Sequence, residues 1–343
     1  MTGHRRVLAA ALVACVSVAM LATALLVRRP AADDATTPCT ATVVTDTVSA
    51  SPVPSPGRAE RFSTTAPLRD RVWGAFAQSS GASGTLWELD SLYALEHEVG
   101  HTFQVVSGFT DSRVGCWANL RAVAAQGRAT MLSYDIEWTF ADIVSGRHDA
   151  ELARTAAELK AIPGPVYLRP FAEMNGNWSL GSVQNAHRHV SSHAQWIAAW
   201  RRIVGIYRSA GASNVSFIWC PHAQDDPATD RMELYWPGSE WVDVLGFDAY
   251  NWGVPWRSHQ QTLADAYRRV TALDPMKPVW VCELASAEGA GEQSKGQWVA
   301  ALMSDTGYPR IQALIWFSVE KERSWQMDSS AGSLAAFRAA WQA

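Results

Sequence analysis

The chain has 343 residues, of which 48% are hydrophobic and 18% charged, a composition typical of a globular protein and unlike that of a disordered or fibrous one. Its net charge of −4 includes no basic excess, which argues against a nucleic acid as partner. Tryptophan occurs 17 times, and flat aromatic rings suit the apolar faces of sugars, although buried indoles can equally fill a core.

An uncharged apolar segment, residues 7–27, lies between two pairs of arginines near the start of the chain. As a helix it would be about 30 Å long, which is enough to span a bilayer. A signal peptide usually has a shorter apolar stretch, and this one ends in the dipeptide Arg28-Arg29. Residues 1–29 are therefore predicted to be a signal anchor or a signal peptide, with the anchor favoured. Either one places the remainder outside the cell, secreted or anchored to the outer face of the membrane.

Residues 30–65 are rich in Pro, Ser and Thr and include, at residues 51–57, a stretch with three prolines and a glycine close together. Such a composition does not bury enough apolar surface to fold, so this segment is predicted to be a disordered tether. The remaining residues, 66–343, are enough for one large domain.

Five cysteines are present, and Cys15 lies inside the apolar segment. In an oxidising compartment the other four, Cys39, Cys116, Cys220 and Cys282, allow three pairings. A bridge between Cys39 and Cys116 is preferred, because it would pin the tether to the domain. The cysteines do not have the spacing of metal ligands, and we expect neither a metal nor a cofactor.

After the tether, short apolar runs of strand length alternate with longer amphipathic stretches, which is typical of repeated βα units. Eight such runs occur, at residues 72–76, 103–107, 130–134, 166–169, 215–219, 244–247, 279–282 and 313–317. Eight βα units that close on themselves predict an α/β fold, the (β/α)8 TIM barrel. We expect a monomer.

Acidic residues follow several of these runs. They are Asp135, Glu137, Glu173, Asp248, Glu283 and Glu320. In TIM barrels the carboxyl ends of the strands meet at one mouth, where active sites lie. Several carboxylates at one mouth suit glycoside hydrolysis, which needs two of them.

The segment after the fourth run carries the most specific motif. Residues 166–178 read VYLRPFAEMNGNW, with Glu173 near the centre. This segment resembles the acid/base signature of glycoside hydrolase family 26, whose best-known members are β-mannanases. The family has a His before the Glu, where this chain has Ala172. That His normally helps to shape the acid/base and the sugar subsite.

Further similarities to the family follow in chain order, at residues 142–149, 243–252, 277–283, 315–317 and 325–329. The resemblance implies an extracellular retaining β-glycoside hydrolase that acts on β-1,4-linked polysaccharide, most plausibly as a mannan endohydrolase. It makes Glu173 the catalytic acid/base and Glu283 the nucleophile. A retaining mechanism requires the two carboxyl groups to be about 5–5.5 Å apart.

Other residues at the predicted mouth are candidates for substrate binding. Arg169 and Tyr250 would hold Glu283 as an anion, since a cation and a hydroxyl donor favour the charged form. Trp178 and Trp316 are expected to be platforms for sugar rings. Asn175, His222 and Asp248 are expected to be polar contacts in or beside the sugar subsites.

Two alternatives remain open. A non-hydrolytic glycan-binding or transglycosylating barrel is suggested by Ala172. The run His97-Glu98-Val99-Gly100-His101 matches the HExxH pattern of zinc proteases, in which two His on one helix face hold the metal. However, Gly100 is expected to end the helix within the motif, and the next residues read as a strand.

Overall fold

The computed structural model describes residues 66–78, 89–112, 117–185, 191–289 and 293–343. The predicted signal segment 1–29, the tether 30–65 and the predicted bridge between Cys39 and Cys116 lie outside these described residues. Within the described part, no helix combines the length and apolar character needed to cross a membrane.

Eight parallel strands form a closed barrel in which each strand pairs with the next in the chain and the last pairs with the first. The strands are β1 (Val72–Ala77), β2 (Val105–Thr110), β3 (Ala129–Tyr134), β4 (Val166–Pro170), β5 (Val215–Trp219), β6 (Val244–Asn251), β7 (Val279–Ser286) and β8 (Ile311–Ser318). The prediction of a (β/α)8 TIM barrel is confirmed. The main difference is that β6 and β7 extend further than their apolar runs indicated.

Helices lie between the strands and cover the outside of the barrel. They are α1 (Leu89–Val99), α2 (Trp117–Ala125), α3 (Phe140–Ser145), α4 (Asp149–Lys160), α5 (His193–Ser209), α6 (His259–Leu273), α7 (Lys295–Ser304) and α8 (Ala331–Gln342). Capping boxes begin two of them, Ser192 with Gln195 for α5 and Ser258 with Gln261 for α6.

Along regular strands, side chains alternate between the barrel interior and the helix layer, and this alternation decides which of them reach the mouth. In β8, Ala313 and Ile315 belong to the interior cluster, which also contains Tyr167 and Trp280. Leu314 and Trp316 belong instead to the core between strands and helices. Adjacent residues on one strand therefore have entirely different neighbours.

A β-bulge in β7 changes this alternation next to Glu283. Phe247 pairs with Val281, but the next residue, Asp248, pairs with Glu283, so Cys282 is an extra residue in β7. Cys282 belongs to the interior cluster, and regular alternation would turn Glu283 outwards. The extra residue instead brings Glu283 to the inward-facing side as well, which is a recognised use of bulges.

The HExxH segment lies where α1 ends. The helix ends at Val99, and Gly100 has a left-handed φ of 69°. The ring of His101 stacks on Trp341 of α8 with centroids 4.0 Å apart. Burial, and then the charge of Arg128, lower the pKa of His101 to about 4. The helix break at Gly100 was predicted from the sequence, and together with the packing of His101 on Trp341 it is a structural account of this motif.

A buried lysine connects two loops at the carboxyl end of the barrel. Lys295 begins α7, its side chain is 0% exposed, and its ammonium donates to the carbonyls of Ser324 (2.6 Å) and Gln326 (2.9 Å) and to the Ser329 hydroxyl (2.6 Å). Glu288, after β7, lies 3.8 Å from the same ammonium. Lys295 thus holds the loop after β8 against the loop after β7.

Replacing Lys295 with Met should lower the free energy of unfolding by about 2–3 kcal/mol, because buried carbonyls would lose their donor. Denaturant unfolding measures this change. Lys321→Met is the matched control, since Lys321 lies in the same loop but is 64% exposed, and its loss should be within about 0.5 kcal/mol. Equal effects of the two substitutions would contradict this role of Lys295.

Candidate active site

Arg169 lies near the carboxyl end of β4 and faces the interior, so that its guanidinium is at the centre of the barrel mouth. It is 1% exposed and donates to Ser133 of β3 (2.5 Å), to both carboxylate oxygens of Asp248 of β6 (2.6 Å) and to Glu283 of β7. One further N–H points to the sulfur of Cys220 at 3.5 Å. A single side chain thus connects residues from or next to four strands.

The charges around Arg169 determine its state. Burial opposes its charge, but the carboxylates of Asp248 and then Glu283 outweigh that effect and hold the pKa of Arg169 well above its ordinary value. Burial also raises the pKa of Asp248, and the Arg169 guanidinium opposes that rise. Both oxygens of Asp248 contact the same terminal nitrogen of the Arg169 guanidinium, so the buried carboxylate has a charge-assisted partner.

Glu283 is held by donors on both of its oxygens. Arg169 donates to one oxygen and the Tyr250 hydroxyl donates to the other at 2.5 Å. The side chain is 12% exposed, so it remains open to the mouth. Burial, followed by the charge of Glu283, raises the pKa of Tyr250 well above its ordinary value, so this hydroxyl remains a donor.

Glu173 lies in a strained turn after β4. Phe171 and Glu173 both have left-handed backbone conformations, with φ of 54° and 57°. Such conformations cost about 1–3 kcal/mol each in residues other than glycine and are concentrated at functional sites. The turn is held in place by the amide of Glu173, which donates to the Cys220 carbonyl at 2.8 Å.

The side chain of Glu173 has a different environment from that of Glu283. The indole N–H of Trp178 donates to it at 2.6 Å, and the Trp178 side chain is 47% exposed. The Trp178 ring lies directly over Gly176, where any Cβ would collide with it. Among the described hydrogen bonds and ion pairs, no cation contacts Glu173.

The two glutamates face each other across one space. One carboxylate oxygen from each of Glu173, Asp248 and Glu283 lies within 4.8 Å of the other two. A second group with the same limit consists of Cys220, Asp248 and Cys282. Both groups adjoin the guanidinium of Arg169, whose positive charge disfavours a metal cation here. Cys220 and Cys282 are free, buried thiols.

Aromatic side chains line the opposite part of the mouth. Phe76, Phe109 and Phe317 contact one another, with ring centroids 4.9–6.2 Å apart. Tyr250 joins this group by an edge contact with Phe317 at 6.1 Å and packs against Trp325 at 5.2 Å. The mouth therefore has an aromatic wall beside a polar one, which suits a ligand with both apolar faces and hydroxyls.

Several predicted site residues do come together. Glu173, Glu283, Arg169 and Tyr250 meet in one constellation, and Trp178 and His222 lie beside it with ring centroids 5.1 Å apart. His222 is 7% exposed, and its Nδ1 contacts the backbone of Gln224. The assignment of His222 to a sugar contact stays a prediction.

The prediction that Trp316 is a sugar platform is wrong. Its side chain is fully buried, its indole N–H donates to the Trp325 carbonyl at 2.8 Å, and it packs on Phe337 of α8. Trp316 faces the helix layer because it alternates with Ile315, which faces the interior. The inward residue next to it, Phe317, is the aromatic side chain that reaches the mouth.

Two polar predictions need correction in the same way. Asn175 is 0% exposed, and its amide hydrogen-bonds to the backbone of His222 and to Asp225, so it holds one loop to another. Asp248 is 0% exposed and binds Arg169. Arg169, 1% exposed, donates to Glu283 as predicted. The contacts of these buried residues position the site.

Sequence reasoning missed Ser133 and Cys220, both of which contact Arg169. Ser133 lies inside an apolar run and two residues before the acidic Asp135. A polar residue on the inward side of a barrel strand, close to its carboxyl end, is the signal that would have identified it.

The chain is similar to known proteins in sequence and in fold. The model of glycosyl hydrolase family 26 matches residues 141–342. Endoglucanase H of Acetivibrio thermocellus is 30% identical over 277 residues, which are 78% of this chain and 30% of that protein. Mannan endo-1,4-beta-mannosidase A and B of Caldalkalibacillus mannanilyticus is 26% identical over 180 residues, 51% of this chain and 31% of that protein. The chain thus spans about a third of the length of these relatives.

The fold of this chain is also similar to that of solved structures. A Bacillus subtilis mannanase, BCman, superposes with a TM-score of 0.58 over 81% of this chain and 87% of that one, at 18% identity. An endo-beta-1,4-mannanase of Cellulomonas fimi gives a TM-score of 0.56 over 81% of this chain and 71% of that one, also at 18% identity. At this identity the likeness extends to the fold alone.

Removing the guanidinium should destabilise the whole barrel. Arg169→Met leaves Asp248 buried without a cation, and we expect a loss of about 3–5 kcal/mol in the free energy of unfolding. Guanidinium chloride unfolding at pH 7 measures it, and Arg154→Met, at a site 61% exposed, is the control. The double variant Arg169→Met/Asp248→Asn should lose less than the sum of its single variants. A loss below about 1 kcal/mol for Arg169→Met would contradict this description.

Proposed function

The chain belongs to glycosyl hydrolase family 26, and on that basis we propose that it hydrolyses a β-1,4-linked polysaccharide, with mannan as the leading substrate, by double displacement. The observation that carries this proposal is the pair Glu173 and Glu283, each of which has a carboxylate oxygen within 4.8 Å of one on the other at the barrel mouth. This spacing suits retention, since inverting enzymes need about 6.5–9.5 Å to admit a water between the two groups.

The environments of the two glutamates support the roles proposed for them. Glu283 receives hydrogen bonds from a cation and a hydroxyl, which favours the carboxylate required of a nucleophile. Glu173 contacts a neutral indole N–H and lies beside an exposed ring at the rim, where a leaving group would be located. Glu173 is therefore the acid and then the base, and Glu283 is the nucleophile.

In the first step a Glu283 oxygen attacks the anomeric carbon while Glu173 gives its proton to the departing glycosidic oxygen. In the second step Glu173 takes a proton from water, and that water displaces Glu283 from the sugar. When Glu283 becomes an ester it loses its charge. Asp248 then remains as the counter-ion of Arg169, so the buried guanidinium stays neutralised throughout.

The exposed ring of Trp178 is adjacent to the acid/base and would stack on a sugar of the leaving group. His222, in edge contact with Trp178, would lie at the same subsite. The aromatic wall formed by Phe76, Phe109 and Phe317 would contact the apolar side of the sugar on the other side of the bond.

A β-glucan is the second candidate substrate. Its support is the relative named Endoglucanase H, which matches 78% of this chain, whereas the mannosidase of Caldalkalibacillus matches 51%. A binding or transglycosylating barrel is the remaining alternative. The location proposed for the enzyme is extracellular, secreted or anchored through residues 7–27, and its support is the apolar segment of the sequence.

A substrate panel separates these candidates. The purified protein should release reducing ends from β-mannan or from mixed-linkage β-glucan at a rate that EDTA does not change. Product analysis should show hydrolysis in excess of transfer. Absence of hydrolysis on every β-glycan by a folded protein would reject the proposed function, and loss of activity with EDTA would favour metal chemistry at the HExxH motif.

The roles of the two glutamates are tested by substitution and rescue. Glu173→Ala and Glu283→Ala should each lower kcat by at least about 1,000-fold, because each removes a group required in the transition state. Azide, entering the space of the lost carboxylate, should restore turnover and give a β-glycosyl azide with Glu173→Ala but an α-glycosyl azide with Glu283→Ala. NMR of the products distinguishes the two anomers.

The matched control is Glu320→Gln, since Glu320 also follows a barrel strand but is exposed. Its activity should stay within twofold of the wild type. The same anomer from both rescued variants would contradict the assigned roles.

A further inference from the structure

Asp135 has a carboxyl group at the mouth that the mechanism above does not use. It follows β3 directly, and the pairing of Ser133 with Arg169 and of Tyr134 with Pro170 places it beside the turn that begins at Phe171. Ser133 faces the interior, where it contacts Arg169, so Asp135, two residues later, lies on the same side. The carboxyl group therefore lies at the rim of the mouth, on the side of Arg169.

The surroundings of this carboxyl group are charged. Arg169 is the cation near it, and Glu283, Glu173 and Asp111 are the anions. The side chain is half-buried, and none of the described residues donates a hydrogen bond to it. A buried carboxylate that lies among other carboxylates and accepts no hydrogen bond is costly to the folded protein. A bound ligand that donates a hydrogen bond to it would offset this cost.

Ala172 adds a second, independent observation. This position precedes Glu173, and the family has a polar His there, whereas the methyl group of Ala172 offers no hydrogen bond to a sugar. Tyr134 pairs with Pro170, so Asp135 follows the end of the strand next to the one that leads into Ala172. Asp135 is thus a polar residue on the strand end adjacent to the one where Ala172 offers no hydrogen bond.

We propose that Asp135 is a substrate-binding residue that accepts a hydrogen bond from the 2-hydroxyl of the sugar whose bond is cleaved. This inference rests on the proposed function. The reacting carbon must lie between Glu173 and Glu283, and the only hydroxyl on a carbon next to it is the 2-hydroxyl. Hydrogen bonds to this hydroxyl strengthen in the transition state and so contribute to rate.

The kinetic test compares Asp135→Asn and Asp135→Ala with the wild type. It uses an aryl β-disaccharide of the sugar that the wild type cleaves best, with and without the 2-hydroxyl on the reacting unit. Each variant should lower kcat/KM by about 10- to 100-fold on the complete substrate, mainly through kcat. A change of this size corresponds to the loss of one hydrogen bond to a charged group. On the 2-deoxy substrate the variants should stay within about threefold of the wild type.

Thermal stability distinguishes a substrate-binding role of Asp135 from a structural one. Replacing a merely structural residue would lower the Tm, whereas replacing Asp135 should raise it. Burial, opposed by Arg169, raises the pKa of Asp135 to about 6, above its ordinary value of 3.8. A raised pKa means that the ionised form costs stability, a cost absent below about pH 4 and complete once the pH has risen through about 6. Asp135→Asn removes this cost, so its Tm should exceed that of the wild type at pH 7.5 and equal it at pH 4.

Glu137→Gln is the matched control, since Glu137 lies in the same loop and is exposed. It should change neither the kinetics nor the Tm. Equal losses on the two substrates, or a lower Tm for Asp135→Asn at pH 7.5, would overturn the proposal for Asp135 while leaving the function intact. A folded wild type that cleaves no β-glycan would reject the proposed function, and this inference with it.

Discussion

The buried guanidinium of Arg169 is the interaction on which the candidate site depends. A cation inside a barrel needs counter-charges, and here Asp248 and Glu283 provide them from neighbouring strands, with Ser133 as a further acceptor. Because the fully buried Asp248 already provides a counter-charge to the guanidinium, Glu283 can remain partly exposed at the mouth. One residue therefore both stabilises the interior and holds a reactive carboxylate in a fixed position.

Local irregularities of the backbone complete this arrangement. The extra residue Cys282 in β7 brings Glu283 inwards, and the left-handed turn at Glu173 points a second carboxylate across the same space. Regular strands and an unstrained turn would leave the two glutamates on different surfaces. A further register shift lies at Val279 and Trp280, where β7 pairs with β8, but the bulge at Cys282 and the turn at Glu173 are the irregularities that position the two carboxylates.

The strands could be predicted because parallel strands covered on both faces appear in the sequence as short apolar runs, and their count indicated the barrel. Position after a run indicated several acidic residues at the mouth, and the resemblance to the family selected the pair Glu173 and Glu283 among them. The direction in which a strand side chain points depends on register and was harder to predict. Trp316 was assigned to the mouth although Ala313 and Ile315 define the inward side of β8, and the alternation alone identifies Phe317 instead. The loop contacts of Asn175 depend on residues about 50 positions away, which local patterns do not contain.

The central claim is that Glu283 forms a covalent bond to the sugar while Glu173 assists from the opposite side. The most direct test traps that intermediate with an activated 2-deoxy-2-fluoro β-glycoside and locates the label by peptide mass spectrometry. This account predicts one glycosyl group per chain, attached to the peptide that contains Glu283 and lost from the Glu283→Ala variant. A label on another carboxylate, or its persistence in that variant, would contradict the double displacement through Glu283.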